Sequence, residues 1–314
     1  MKITINTYPF PDEDLRQLEL DFKNVDFSFV SSKKDLLNEI EDSDAIITFY
    51  LKKSQMESAS KLKWIQAISA GVDHFPLDYI KSRNINLTTG RGIHKIHMTE
   101  YALSMMILGA RRLDKMMLDK NKRNWNHDIP QNEIFGKKLG IIGLGSIGME
   151  IAKKASILGM EVYGVKSLED EVPGIEKIYT LKDLKQLTSK CDYIINLLPH
   201  TDETDKVIDE EIFNSMKKES CMINMGRGGT VNEDHLHTAL SEKKFRLYIS
   251  DVFEEEPLPE ESKLWDLENI VITPHICGPS TNYMKKAYPI IKENISRYLN
   301  NKELMNRYSF TKGY

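Results

Sequence analysis

Several kinds of sequence feature are scarce or missing here, and each absence excludes something. Cysteine is sparse: Cys191, Cys221 and Cys277 are the only three in 314 residues, and they lie too far apart for paired metal ligands. A few odd thiols, behind a start that alternates like a strand and lacks the apolar core of a leader, suggest a reducing compartment; the expected location is cytoplasmic. No apolar run approaches the roughly 18–20 residues of a membrane helix, so no membrane partner is expected. Neither sign of charge dominates, with 43 basic and 47 acidic side chains and a net charge of −4. That balance, with basic residues scattered, leaves no footprint for nucleic acid. A small anion would have to be met by local positive groups. Repeats at a solenoid period and low-complexity tracts are also missing. Metal binding is not expected, because no histidine pair sits at ligand spacing with a carboxylate, and His235-x-His237 lacks a third ligand.

What is present is alternation. Hydrophobic residues make up 40% and charged residues 29%, as in a globular protein, and the length suits about two domains. Strands are expected over 2–8, 25–30, 45–50, 64–69 and 85–89, with helices near 13–22, 34–40, 54–62 and 77–82 between them. A long helix is expected over 98–120, its methionines serving packing. Residues 124–135, polar and with Pro130, read as a loop. A second series follows, with strands over 139–143, 161–165, 193–197, 221–224, 247–252 and 271–273. Its helices are expected near 147–158, 182–189, 210–216 and 233–241, and a last amphipathic helix over 283–299. Such alternation argues for parallel βα units.

The richest single stretch is Lys138-Leu-Gly-Ile-Ile-Gly143-Leu-Gly145-Ser146-Ile147-Gly148. An apolar strand runs into Gly-x-Gly-x-x-Gly and then into a helical pattern. Gly143 permits the tight turn, Gly145 leaves room for a phosphate, and Gly148 allows the helix to approach the strand. The helix start offers unpaired N–H groups, including those of Ser146 and Ile147, and a positive dipole end to a pyrophosphate.

Downstream lie Asn224-Met-Gly-Arg227-Gly-Gly229, Asp251-Val-Phe-Glu-Glu-Glu256-Pro-Leu-Pro259 and Thr273-Pro-His275-Ile-Cys-Gly278. Together with the glycine loop, these ordered segments resemble the D-isomer-specific 2-hydroxyacid dehydrogenase family over nearly the whole chain, in the manner of its short glyoxylate/hydroxypyruvate reductase-like members. Ser69-Ala70-Gly71-Val72-Asp73 resembles that family's substrate loop. The resemblance implies an α/β protein of two domains, with a Rossmann-type dinucleotide-binding domain inserted into a flavodoxin-like substrate domain and the active site in the cleft. The expected boundaries are 1–98 plus 284–314 for the substrate domain and 99–283 for the NAD(P)-binding domain. It further implies that Arg227 binds the substrate and polarises its carbonyl, that His275 is the acid/base and Glu256 its carboxylate partner, and that Asp251 contacts the nicotinamide carboxamide. Leu198, Pro199 and Thr204 resemble strand-end contacts to the cofactor.

Residue chemistry agrees with this assignment. An alkoxide forming on a reduced carbonyl needs a proton, and imidazole titrates in the right range to give one. A carboxylate beside it favours the protonated ring and orients it. Arginine offers a fixed fork of donors to a carboxylate, and the backbone N–H groups of Ala70, Gly71 and Val72 could hold the same anion. After the second strand of the nucleotide unit, where NAD enzymes place an acidic residue for the ribose, this chain has Lys166 and Ser167. An ammonium and a hydroxyl attract a 2′-phosphate, so NADP(H) is expected over NAD(H); Glu169 or Asp170 turning back to the ribose is the other possibility. The expected protein is thus an NAD(P)-dependent oxidoreductase that reduces a small 2-oxo acid to a D-2-hydroxy acid, working as a homodimer built on the 98–120 helix. Two alternatives are a non-enzymatic dinucleotide-sensing corepressor and a phosphite- or formate-type dehydrogenase. The formate version is disfavoured because such members carry Gln where Glu256 stands.

Overall fold

Residues 1–166 and 172–311 are described by the structure, a computed structural model. They divide into two units: 1–94 with 280–314, and 95–279.

In the first unit, five strands form one parallel sheet: β1 (Lys2–Asn6), β2 (Asp26–Val30), β3 (Ala45–Thr48), β4 (Trp64–Ala67) and β5 (Asn86–Thr88). Their order is β2-β1-β3-β4-β5, the flavodoxin-like arrangement. Helices α1 (Asp12–Asp21), α2 (Lys33–Glu39), α3 (Lys53–Met56) and α4 (Leu77–Ser82) connect them. The apolar runs are strands buried on both faces, as parallel sheets require. Ile3, Ile5, Ala45, Ile47 and Trp64 pack on one side, while Ile46, Ile65 and Ala67 pack on the other.

The second unit opens with α5 (Lys95–Arg111) and α6 (Leu113–Asn121). Seven parallel strands follow: β6 (Lys138–Ile142), β7 (Glu161–Val165), β8 (Lys177–Tyr179), β9 (Tyr193–Asn196), β10 (Cys221–Asn224), β11 (Leu247–Ser250) and β12 (Ile270–Ile272). The order β12-β11-β10-β9-β6-β7-β8 places the topological switch between β6 and β9, directly beside the glycine loop. Helices α7 (Ser146–Ile157), α8 (Leu184–Lys190), α9 (Glu210–Ser215) and α10 (Glu233–Ser241) belong to this unit. The last helix, α11 (Tyr283–Leu299), lies in the first unit and sets Met284, Ala287, Ile291 and Ile295 against Ile3, Ile5 and Trp64. Here too alternate strand residues serve opposite cores. Leu139, Ile141, Tyr193, Ile195, Cys221 and Ile223 face one, while Ile142, Ile194 and Met222 face the other.

Two expectations about elements need correction, and one strand is added. The helix expected over 98–120 is two helices, because Arg112 takes a left-handed backbone (φ 53°). No glycine or proline marks that break. Asp114, buried in the first turn of α6, complements the new helix start and lies 3.6 Å from the Arg112 Nε. The helix expected over 54–62 stops at Met56, since the Arg83 guanidinium takes the carbonyls of Met56, Ala59 and Ser60. Strand β8 was not foreseen: three residues at a sheet edge carry too little pattern.

Candidate active site

The glycine loop joins β6 to α7. Gly143 adopts φ 107°, closed to most side chains, and Gly143 and Leu144 both donate to the Val165 carbonyl. A Cβ at Gly148 would lie 2.4 Å from the Gly143 carbonyl oxygen, so only glycine lets α7 come this close. Gly145 is different: a Cβ there would meet nothing within 4 Å. It faces open space, and no side chain caps α7. The N–H groups of Ser146, Ile147 and Gly148 find no acceptor among the described residues. A cavity of about 570 Å³ opens at Gly145 and Ser146 and runs past Met149 and Lys153 to Pro173 and Gly174. Uncapped donors beside an open glycine fit the pyrophosphate of a dinucleotide. Lys166 follows β7 and holds its place through its backbone N–H to the Tyr179 carbonyl. Ser167 lies outside the described residues, as do Glu169 and Asp170.

The loops after β9, β10, β11 and β12 crowd the same sheet edge. At the ends of β9 and β10, Asn196 and Asn224 are buried opposite one another. Asn196 Nδ2 donates to Asn224 Oδ1 and to Thr230 Oγ1, while its Oδ1 accepts from Leu198 N and Asn224 Oδ1 accepts from Gly226 N. Leu198 is buried in the core and Pro199 is half-buried beside it. Thr204 is buried too, and its hydroxyl is engaged inside the loop, donating to the Pro199 carbonyl at 2.7 Å and accepting from Thr201 N at 2.8 Å.

Arg227 follows β10, is half-buried, and donates through Nη1 to the Gly226 carbonyl. The next residue shows how tightly these loops stack: a Cβ on Gly228 would lie 1.9 Å from the Phe253 carbonyl carbon. Glu256 follows β11. Its Oε1 accepts from Phe253 N at 3.0 Å, and its Oε2 lies 2.6 Å from His275 Nδ1. Both side chains stay open to solvent, at 48% for His275 and 35% for Glu256. With Nδ1 engaged, Nε2 is the ring atom left to meet a substrate.

His275 itself sits in the left-handed region, at φ 52°. That costly backbone for a histidine is held by Asp251. The Asp251 carbonyl accepts His275 N, Oδ1 accepts Ile276 N and the Thr273 hydroxyl, and Oδ2 accepts Cys277 N. The Tyr101 hydroxyl lies 2.6 Å from Thr273 Oγ1. Burial and then the charge of Asp251 push the Cys277 thiol upward, and the Arg227 guanidinium opposes them.

A family profile described as "D-isomer specific 2-hydroxyacid dehydrogenase, NAD binding domain" matches residues 103–277. The chain belongs to the D-isomer-specific 2-hydroxyacid dehydrogenase family. Membership makes it an NAD(P)-dependent enzyme of 2-hydroxyacid chemistry. It is 30% identical over 298 residues to D-3-phosphoglycerate dehydrogenase of Methanocaldococcus jannaschii, covering 93% of this chain but 56% of that relative. It is also 30% identical to glyoxylate reductase of Thermofilum pendens, over 84% of this chain and 80% of the relative. Among solved structures, a family member from Aeromonas salmonicida superposes with a TM-score of 0.84 at 28% identity, over 98% of this chain and 99% of the other.

Within this dehydrogenase, the remaining substrate-loop residues lie in the first unit, after β4. Ser69 Oγ donates to the Gly71 carbonyl, and the Ser69 carbonyl accepts Gly90 N. The N–H groups of Ala70, Gly71 and Val72 find no acceptor among the described residues. Sequence reasoning missed Asn196, Asn224 and Thr230, the polar plug under the Arg227 loop. Their signal was legible: two otherwise apolar buried strands each end in asparagine. No group of residues able to hold a metal occurs among the described residues, and no described helix is long and apolar enough to cross a membrane.

Proposed function

We propose that the enzyme reduces a small 2-oxo acid to the D-2-hydroxy acid, with NADPH preferred over NADH. The observation that carries this reading is the 2.6 Å contact of His275 Nδ1 with Glu256, which leaves Nε2 of a half-exposed ring for a substrate, on the sheet edge that also bears the glycine loop. The bound nicotinamide would supply a hydride to the carbonyl carbon. His275 gives the carbonyl oxygen its proton from Nε2, and Glu256 fixes the ring's orientation and tautomer. Arg227 pairs with the substrate carboxylate and stabilises charge building on the oxygen. The N–H groups of Ala70, Gly71 and Val72, which have no acceptor among the described residues, are donors available to a carboxylate. Gly143, Gly145, Ser146, Ile147 and Gly148 cradle the pyrophosphate, with Leu198 and Pro199 alongside the adenosine half and Lys166 and Ser167 on the 2′-phosphate. Asp251 holds the His275 loop, and the family resemblance gives it the carboxamide of the nicotinamide as a further partner. The order of substrates to try is glyoxylate, then hydroxypyruvate, then larger 2-oxo acids; the likeness to a glyoxylate reductase supports starting there. A homodimer would cover the exposed Ile107, Leu113, Met116 and Met117 of α5 and α6.

The test is kcat/KM for that panel with both cofactors. NADPH-dependent turnover is expected. Absence of turnover with every acid overturns the enzymatic reading in favour of a dinucleotide-binding module, and a clear NADH preference overturns the role of Lys166. Substrate-dependent reduction of NADP⁺ by phosphite would reassign the substrate.

A further inference from the structure

The turn carrying Glu256 is also fastened from its other side, by a carboxylate with no role so far. Glu233 is the first residue of α10, the helix that follows the Arg227 loop. Its Oε1 accepts the backbone N–H of Glu254 at 2.7 Å. One residue earlier, Phe253 N donates to Glu256 Oε1. Two successive N–H groups of one turn therefore engage two carboxylates, one from the proposed catalytic pair and one from α10. Glu233 is not needed to cap its helix: Asn232 does that, accepting His235 N through Oδ1 at 3.1 Å. It is half-buried at the start of α10. Burial pushes its carboxyl pKa up, with the Glu254 and Asp234 carboxylates adding to the rise, while the Glu254 N–H and Lys206 oppose it. Lys206 is itself drawn to Glu254, at 2.8 Å.

We propose that Glu233 is a positioning residue for the reaction: it fixes the 253–256 turn and so sets the Glu256 carboxylate against His275. This rests on the reading of His275 and Glu256 given above. A double-mutant cycle tests it, using kcat with the 2-oxo acid of highest kcat/KM at saturating NADPH. Losing one hydrogen bond to a charged acceptor predicts a fall in kcat of about tenfold or more for Glu233→Ala, with the KM for NADPH unchanged. Glu233→Gln keeps the acceptor oxygen and should stay within about threefold of wild type. Glu233→Asp keeps the acidic start of α10 but withdraws the acceptor, and should behave like the alanine variant even if the latter folds poorly. In a Glu256→Ala background, removing Glu233 should cost less than about twofold, because its effect runs through the missing carboxylate. Multiplicative losses in the cycle, or glutamine doing no better than alanine, overturn the proposal. An unimpaired Glu256→Ala enzyme would instead overturn the His275–Glu256 reading, a separate outcome visible in the same experiment.

Discussion

The two sheets end in loops that treat their backbone donors in opposite ways. In the second unit, the loops after β9, β10, β11 and β12 consume theirs, while the glycine loop keeps those of Ser146, Ile147 and Gly148 open. Asn196 takes Leu198 N, Asn224 takes Gly226 N, Glu256 takes Phe253 N, and Asp251 takes the N–H groups of Ile276 and Cys277. In the first unit, at the end of β4, three successive N–H groups have no acceptor among the described residues, although the loop is tied through its Ser69 and Gly71 carbonyls. Consumed donors fix the backbone and aim side chains; spare donors await an anion. The contrast separates a region built to place reacting groups from one built to bind.

Substitutions in the two regions should therefore fail differently. The largest effect is expected from His275→Ala, which should lower kcat by about 10²–10⁴-fold while leaving dinucleotide affinity near wild type. Stopped-flow or steady-state kinetics with a fluorescence titration of NADPH checks it, and unchanged turnover would remove His275 from the reaction. Arg227→Lys should follow closely, since an ammonium cannot reproduce the fork. Gly228→Ala comes next. Its Cβ would overlap the Phe253 carbonyl, so overpacking of about 1–3 kcal/mol should appear as a lower Tm together with a lower kcat.

The glycine loop contains the same contrast within six residues. Gly148→Ala should destabilise the fold, because its Cβ meets the Gly143 carbonyl. Gly145→Ala should leave Tm unchanged in the free protein yet weaken the rise in Tm that saturating NADPH produces, a gain of about 2.7 kcal/mol at a hundredfold excess over Kd for the wild type. Equal behaviour of the two variants would dissolve the distinction between a packing glycine and a binding glycine. The smallest effect belongs to the first unit. Ser69→Ala removes a single hydrogen bond from the spare-donor loop and should raise KM for the acid by about fivefold, the worth of roughly 1 kcal/mol, with kcat held. A fall in kcat instead would erase the division of labour between the two regions.

Legibility differed just as sharply. Where a strand is buried on both faces, its pattern is a short apolar run bounded by turns, and β3, β4, β6, β9, β10 and β11 were readable from that, as β1 was from its alternation. The split of α5 from α6 at Arg112 was not, since the residues there are ordinary helix formers and the break shows only in the left-handed backbone of Arg112. The early stop of α3 likewise depends on Arg83, more than 20 residues away. For the site, the motifs named Arg227, Glu256 and His275 but not what holds them. Asn196 and Asn224 show in the sequence only as polar ends of apolar strands, and their bonds, like those of Glu233 and Thr230, reach partners 21–34 residues distant that no local period announces.

The order of βα units, the glycine loop and the residue types available for hydride chemistry are local properties of the chain, because strand and helix periodicity and the backbone freedom of glycine act over a few residues. How Asp251 spends its oxygens, where Glu233 bonds, and which N–H groups stay unpaired were decided only in the folded protein. Those outcomes depend on which polar atoms from distant segments are buried together, and a buried donor takes whichever acceptor the packing brings within 3 Å.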